Sequence, residues 1–175
     1  FWAVAVVLFR RAGSDLPPFE TNLFKIVVAF VLLWPTLFMV EGFSLPTYTL
    51  FELFVVILSG YIGIALADTW YLRALHLVGA SRTGILSSLL SPFIILLSVV
   101  FLSERLGLLQ LAGFGLVMAG LLLVSWQSNR ESVDTHDLRK GMAYGVAAVF
   151  FMAVGVVMVK GILETRSFLW TAQLR

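Results

Sequence analysis

The sequence has no cysteine, only two histidines and few charges. Without cysteine there is no disulfide, no thiolate zinc site and no thiol chemistry. His76 and His136 are isolated, neither with a second ligand at metal-site spacing, so no metal centre is expected. Asp, Glu, Lys and Arg make up 13% of the chain, against roughly 25% in a soluble domain. A net charge of +2 is too small and too scattered to suggest a nucleic-acid partner. No Ser/His/Asp arrangement and no Walker-type glycine loop occurs, so neither hydrolytic catalysis nor ATP-driven work is indicated. No cofactor is expected, and the chain does not read as an enzyme.

What is abundant is apolar sequence in runs of membrane length. Apolar residues make up 60% of the chain, and the mean hydropathy is +0.99. Between Arg82 and Glu104 lie 21 uncharged residues, about the ~20 needed to cross a ~30 Å hydrocarbon layer as a helix. That segment, Gly79 to Leu106, is expected to be one spanning helix with Pro92 in its middle. Pro92 leaves the Ser88 carbonyl without its usual donor. Gly84, Ser88, Ser91 and Ser98 recur at helical spacing, so the helix is expected to be touched along that face.

Further spans are expected at about 22–40, 50–77, 108–126 and 141–159, with the entry to another at 164–175. The opening FWAVAVVLF lacks the basic lead-in and small-residue cleavage site of a signal peptide, and reads as the last half of a spanning helix. Gly60, Gly63 and Ala67 would let a neighbouring backbone approach closely, as would Gly113, Gly115 and Gly120. The one extended hydrophilic run, 127–140, is the linker.

The chain also repeats itself. Phe1, Ala3, Val4, Val6 and Val7 match Phe151, Ala153, Val154, Val156 and Val157 at an offset of 150. The same offset places Arg10 on Lys160, Thr21 on Thr171 and Lys25 on Arg175. Five helices separate the copies, so the second enters the membrane inverted, as in many secondary transporters. In that arrangement Arg10 and Lys160, and likewise Lys25 and Arg175, fall on opposite sides of the bilayer. They read either as snorkelling headgroup contacts or as basic guards at the two mouths of a path.

Other polar residues also read two ways. Asp68, expected about two turns inside a helix end, either lines a path, binding a cationic group or a proton, or pairs with Arg73, Arg82 or a helix-end donor near the wet interface. Trp70 suits an interfacial anchor, whereas Tyr71 offers its hydroxyl to a cavity. Trp2 and Tyr144, on the repeat-related first and sixth segments, either line a shared cavity or pack. Ser88 and Ser91 beside Pro92 offer hydroxyls and a freed carbonyl to a solute, or repair the proline break.

Ala74-Leu75 followed by Gly79-Ala80-Ser81, then Pro92, Glu104-Arg105-Leu106, and Gly113 and Gly120, resemble the EamA-type domain of the drug/metabolite transporter superfamily. The resemblance covers about residues 1–126, with 141–175 as the start of a second such domain. It implies an all-α polytopic membrane protein of ten helices in two inverted five-helix halves, placed in the bacterial inner membrane. It also implies secondary transport without ATP, by alternating access, with export as the expected direction. The expected partners are the lipid bilayer and a small solute, such as a metabolite, an amino acid or a drug-like compound, with proton exchange or the solute gradient as energy source. A non-transporting membrane scaffold is the alternative from another class. Counting Lys and Arg places the loops after the first, third and fifth segments in the cytoplasm; the resemblance implies the reverse.

Overall fold

A computed structural model describes residues 7, 17–42, 46–102, 107–127 and 135–175. The described residues hold helices and their connections and no strand. They form α1 (Pro18–Glu41), α2 (Leu50–Gly60), a π-helical turn (Tyr61–Leu66), α3 (Ala67–Ser87), α4 (Leu90–Leu102), α5 (Leu108–Gln127), α6 (Thr135–Leu163) and α7 (Phe168–Leu174). Among the described residues, three stretches are long and apolar enough to cross a membrane: Pro18–Glu41, Leu50–Ser87 and Thr135–Leu163.

Local chemistry sets the ends of these helices. Pro17 occupies the N-cap of α1 and Pro18 its first position, where a missing N–H costs nothing. Thr49 and Glu52 form a capping box at α2, each side chain accepting from the other's backbone N–H. Ser167 caps α7 by accepting from the Trp170 N–H. Asp137 lies in the first turn of α6, where the helix dipole favours a carboxylate. Residues 135–140, assigned above to the linker, are therefore the first turns of α6; residues 128–134 lie outside the described part.

The expected single helix from Gly79 to Leu106 is broken once inside, and its first residue marks the boundary with the span before it. Gly79 adopts φ 82°, ψ 170°, a left-handed conformation that glycine accepts without steric cost. A turn at Ser88-Leu89 then separates α3 from α4, with N–H groups bonded three residues back, Ser88 to Ile85 and Leu89 to Leu86. Pro92 consequently falls in the first turn of α4, where it needs no helical N–H partner. The turn also destroys the common face proposed for the small residues. Ser88 and Ser91 are exposed, Gly84 meets no described neighbour, and only Pro92 and Ser98 are buried.

α6 is the central element, packed against α2, the π turn, α3 and α4. Tyr71 of α3 is buried with Ala148 and Val149 of α6, while Leu97 of α4 is buried with Ala153 and Val157. Glycines bring the backbones together. A Cβ on Gly63 would stand 3.0 Å from the Gly155 Cα, the close approach expected of small residues at helix contacts. Gly141 fits against Leu77 and Val78, and Gly145 against Leu86. Gly113, Gly115 and Gly120 of α5 do not behave as expected: each faces open space among the described residues.

The outer faces are apolar and bare. Phe24, Leu32, Met39, Phe51, Phe101 and Leu116 are all exposed. In water such a surface would aggregate, whereas hydrocarbon solvates it; the buried polar groups instead turn inward.

Candidate functional site

Asp68 lies 18 residues after Leu50 and 11 before the break at Gly79. At 1.5 Å per residue that is about 16 Å from the nearer end of its helix, deeper than the two turns expected. A carboxylate at that depth needs a partner. Its partner is Lys25 of α1, whose ammonium donates to Asp68 Oδ2. Arg73 and Arg82 do not fill this role. The Arg73 guanidinium stands over the Tyr144 ring, 5.9 Å from its centroid. A second cation, Arg175 following α7, attracts the Asp68 carboxylate through space.

Just beside the pair, the backbone is irregular. The π turn places the N–H of Ala67 on the Ile62 carbonyl, five residues back. Asn22 of α1 is almost fully buried and its Nδ2 donates to Ile64 O (3.2 Å), Ala65 O (3.0 Å) and Thr69 Oγ1 (3.0 Å). A side-chain amide thus adds a donor to carbonyls of the π turn, a kind of winding frequent at functional sites. In the sequence Asn22 stands only as the start of the expected 22–40 span. Its signal is a polar residue one turn before Lys25, on the face that Lys25 shows to Asp68.

Lys25 and Arg175 line one cavity of about 370 Å³, with Phe30, Gly60, Tyr61 and Gln173 among its walls. The two basic residues therefore line a single cavity. Each is the eighth residue of its segment, counted from the helix starts at Pro18 and Phe168.

The helix starts themselves differ by the offset of 150. The repeat-related Thr21 and Thr171 are both buried, and each donates its hydroxyl four residues back, to Pro17 O (3.1 Å) and Ser167 O (2.7 Å). α7 runs antiparallel to α1. Ser167 bonds Glu41, Trp170 packs edge-on to Trp34 at 6.3 Å, and Gln173 Nε2 donates to Phe30 O at 3.4 Å. Forward along α7 is thus backward along α1.

The end of the cavity helices near Glu41 is tied shut by polar contacts. Arg166 makes a two-pronged contact with Glu52, Nε to Oε1 and Nη2 to Oε2, both at 3.0 Å. The same guanidinium stands over the Tyr48 ring at 5.7 Å, and Tyr48 shares a 2.9 Å hydrogen bond with Thr171. Hydrogen bonding to Glu52 holds the Arg166 guanidinium above its ordinary range, so this clasp keeps its charge at any physiological pH.

The remaining candidates lie elsewhere. Trp70, expected at the lipid interface, packs edge-on against Tyr144 (6.1 Å) and Phe151 (5.4 Å) of α6. Tyr71 is in the α3–α6 core, and Ser88 and Ser91 sit at the exposed turn before Pro92. Lys160 is in the last turn of α6, where its charge complements the helix dipole. Trp2, Arg10 and the Glu104-Arg105-Leu106 motif lie outside the described residues. Among the described residues no cluster of His, Asp or Glu has the makings of a metal site.

Searches among curated proteins and among solved structures matched neither kind of relative. The model of the EamA-like transporter family matches residues 1–126, the stretch that contains α1 to α5 and the Lys25–Asp68 pair. An all-helical, multi-pass membrane chain with a charged pair inside its bundle agrees with that match, and the protein belongs to the EamA-like transporter family, a family of drug/metabolite-type transporters and not of enzymes.

Proposed function

We propose that the protein is a secondary transporter exporting small metabolites, amino acids or drug-like compounds across the bacterial cytoplasmic membrane. The observation that carries this reading is the Lys25–Asp68 pair with Arg175, set beside a half-open cavity of about 370 Å³ with mostly apolar walls. Charges at that depth are costly unless they serve a path. The antiparallel course of α1 and α7, with matching starts and matching threonine bonds, supports two inverted halves of five helices each.

In this reading the cavity between the halves is the solute site, and the Glu41–Ser167 and Glu52–Arg166 contacts close one mouth. Alternating access exchanges that closed mouth for one at the opposite face. The solute gradient or proton exchange supplies the energy. Asp68 is the carboxylate through which a proton would act, because its protonation releases Lys25.

The test is flux in proteoliposomes holding the whole protein, measured with a radiolabelled panel of amino acids, organic acids and a cationic dye. At least one solute is expected to move down its gradient. Asp68→Asn is expected to lower that flux or flatten its pH dependence. Unchanged flux and pH profile in this variant would remove Asp68 from the path, and no flux of any solute would favour a scaffold.

A further inference from the structure

The described charges at the cavity do not balance. Lys25 and Arg175 are both cations, and Asp68 is the carboxylate that serves them. Lys25 holds Asp68 directly, so a cationic solute finds no free carboxylate there. Arg175 is left with an attraction through space, and its buried Nε has no hydrogen-bond partner among the described residues. A guanidinium carries five donors in a rigid fork that matches a carboxylate. Leaving buried donors unmatched is unfavourable, and a ligand that engages them gains accordingly.

The rest of the cavity is apolar: Ile26, Phe30, Leu33 and Ile57 stand on its walls. Gln173 lies beside Arg175 with its Nε2 already committed to Phe30 O. The site therefore presents a cationic end in a greasy sleeve.

We propose that this cavity selects solutes with a carboxylate at one end and an aromatic or aliphatic body, the carboxylate docking on Arg175. The solute supplies the negative charge that two cations and one aspartate lack, and its body replaces water along Ile26, Phe30 and Leu33. Lys25 and Asp68 stay paired and set the depth of the site. This inference rests on the transporter reading for its physiological role, but its chemistry is tested by binding alone.

Three probes with one skeleton separate the possibilities: 3-phenylpropanoate, 3-phenylpropanamide and 3-phenylpropylammonium. Their binding to the whole purified protein is measured by titration calorimetry in detergent. The carboxylate is expected to bind at least tenfold more tightly than the amide, and the ammonium more weakly than both. Arg175→Gln is expected to erase the difference between carboxylate and amide. Arg175→Lys, which keeps the charge but not the fork, is expected to retain part of it and guards against a variant that fails to fold. Equal binding of all three, preference for the ammonium, or no binding of any would overturn the proposal. Flux of the same probes is read separately. Selective binding without flux would defeat the transporter reading and leave this one standing; flux without charge selectivity would do the reverse.

Discussion

Replacing Gly155 by alanine is expected to loosen the bundle at the point where the cavity is built. A methyl carbon there would stand 2.8 Å from the Gly63 Cα, 2.9 Å from the Ser59 carbonyl oxygen and 3.0 Å from Arg175 Nη2. Carbon atoms in contact prefer about 3.5–4.0 Å, so α6 must withdraw from the π turn by roughly 1 Å. Two of the three obstacles are main-chain atoms, which cannot swing aside. Overpacking of this kind costs about 1–3 kcal/mol, a five- to 150-fold shift in the folding equilibrium at ~1.4 kcal/mol per tenfold. The withdrawal also displaces the Arg175 guanidinium from beside Asp68, so flux is expected to fall with stability. Thermal unfolding in detergent, followed by size-exclusion chromatography after heating, reads the first effect. Gly113→Ala and Gly115→Ala are the controls, because a Cβ at either meets nothing described within 4 Å; they are expected to be neutral or stabilising by up to about 1 kcal/mol. A Gly155→Ala protein as stable as these controls would refute the packing argument.

Other expectations follow from the same geometry. Asp68→Asn strands Lys25 and is expected to destabilise the bundle, whereas Asp68→Asn combined with Lys25→Met recovers part of the loss; a double mutant cycle in thermal unfolding that shows no coupling would count against the pair. Asn22→Leu removes the donor to the Ile64 and Ala65 carbonyls and is expected to cost about 1–3 kcal/mol, read in the same melt against Leu23→Ala at an exposed site. Arg166→Gln loosens the Glu52 clasp with little loss of stability, because an exposed ion pair is screened by solvent, while opening the mouth. Because the chain has no cysteine, a cysteine placed at Trp170 reports this directly. Its maleimide labelling is expected to quicken in the Arg166→Gln background, and an unchanged rate would remove the clasp from gating.

Some of this was legible before any coordinates. Long apolar runs, scarce charge and small-residue spacing at Gly60, Gly63 and Ala67 point to a packed membrane bundle, because hydrocarbon forces every span to satisfy its own backbone. The family resemblance rested on motifs spread over helix ends and turns, and the family match covers the same residues. The break inside the Gly79–Leu106 run was less legible. Composition measured its length well enough, but the turn at Ser88-Leu89 depends on how α3 and α4 must lie against α6. The packing assigned to Gly113, Gly115 and Gly120 finds no partner among the described residues, since small residues permit a close approach without supplying one.

By itself, then, the sequence determined that this chain lives in lipid, which residues carry its few charges, and that Lys25 and Arg175 stand 150 positions apart. Those are properties of composition and spacing, both of which exist along one dimension. That Lys25 holds Asp68 across 43 positions, that Arg175 joins them from 107 positions further on, and that Asn22 props the π turn between them was decided only by tertiary structure. Such pairings depend on which helix faces meet and at what depth, and the antiparallel crossing of α1 and α7 fixes both.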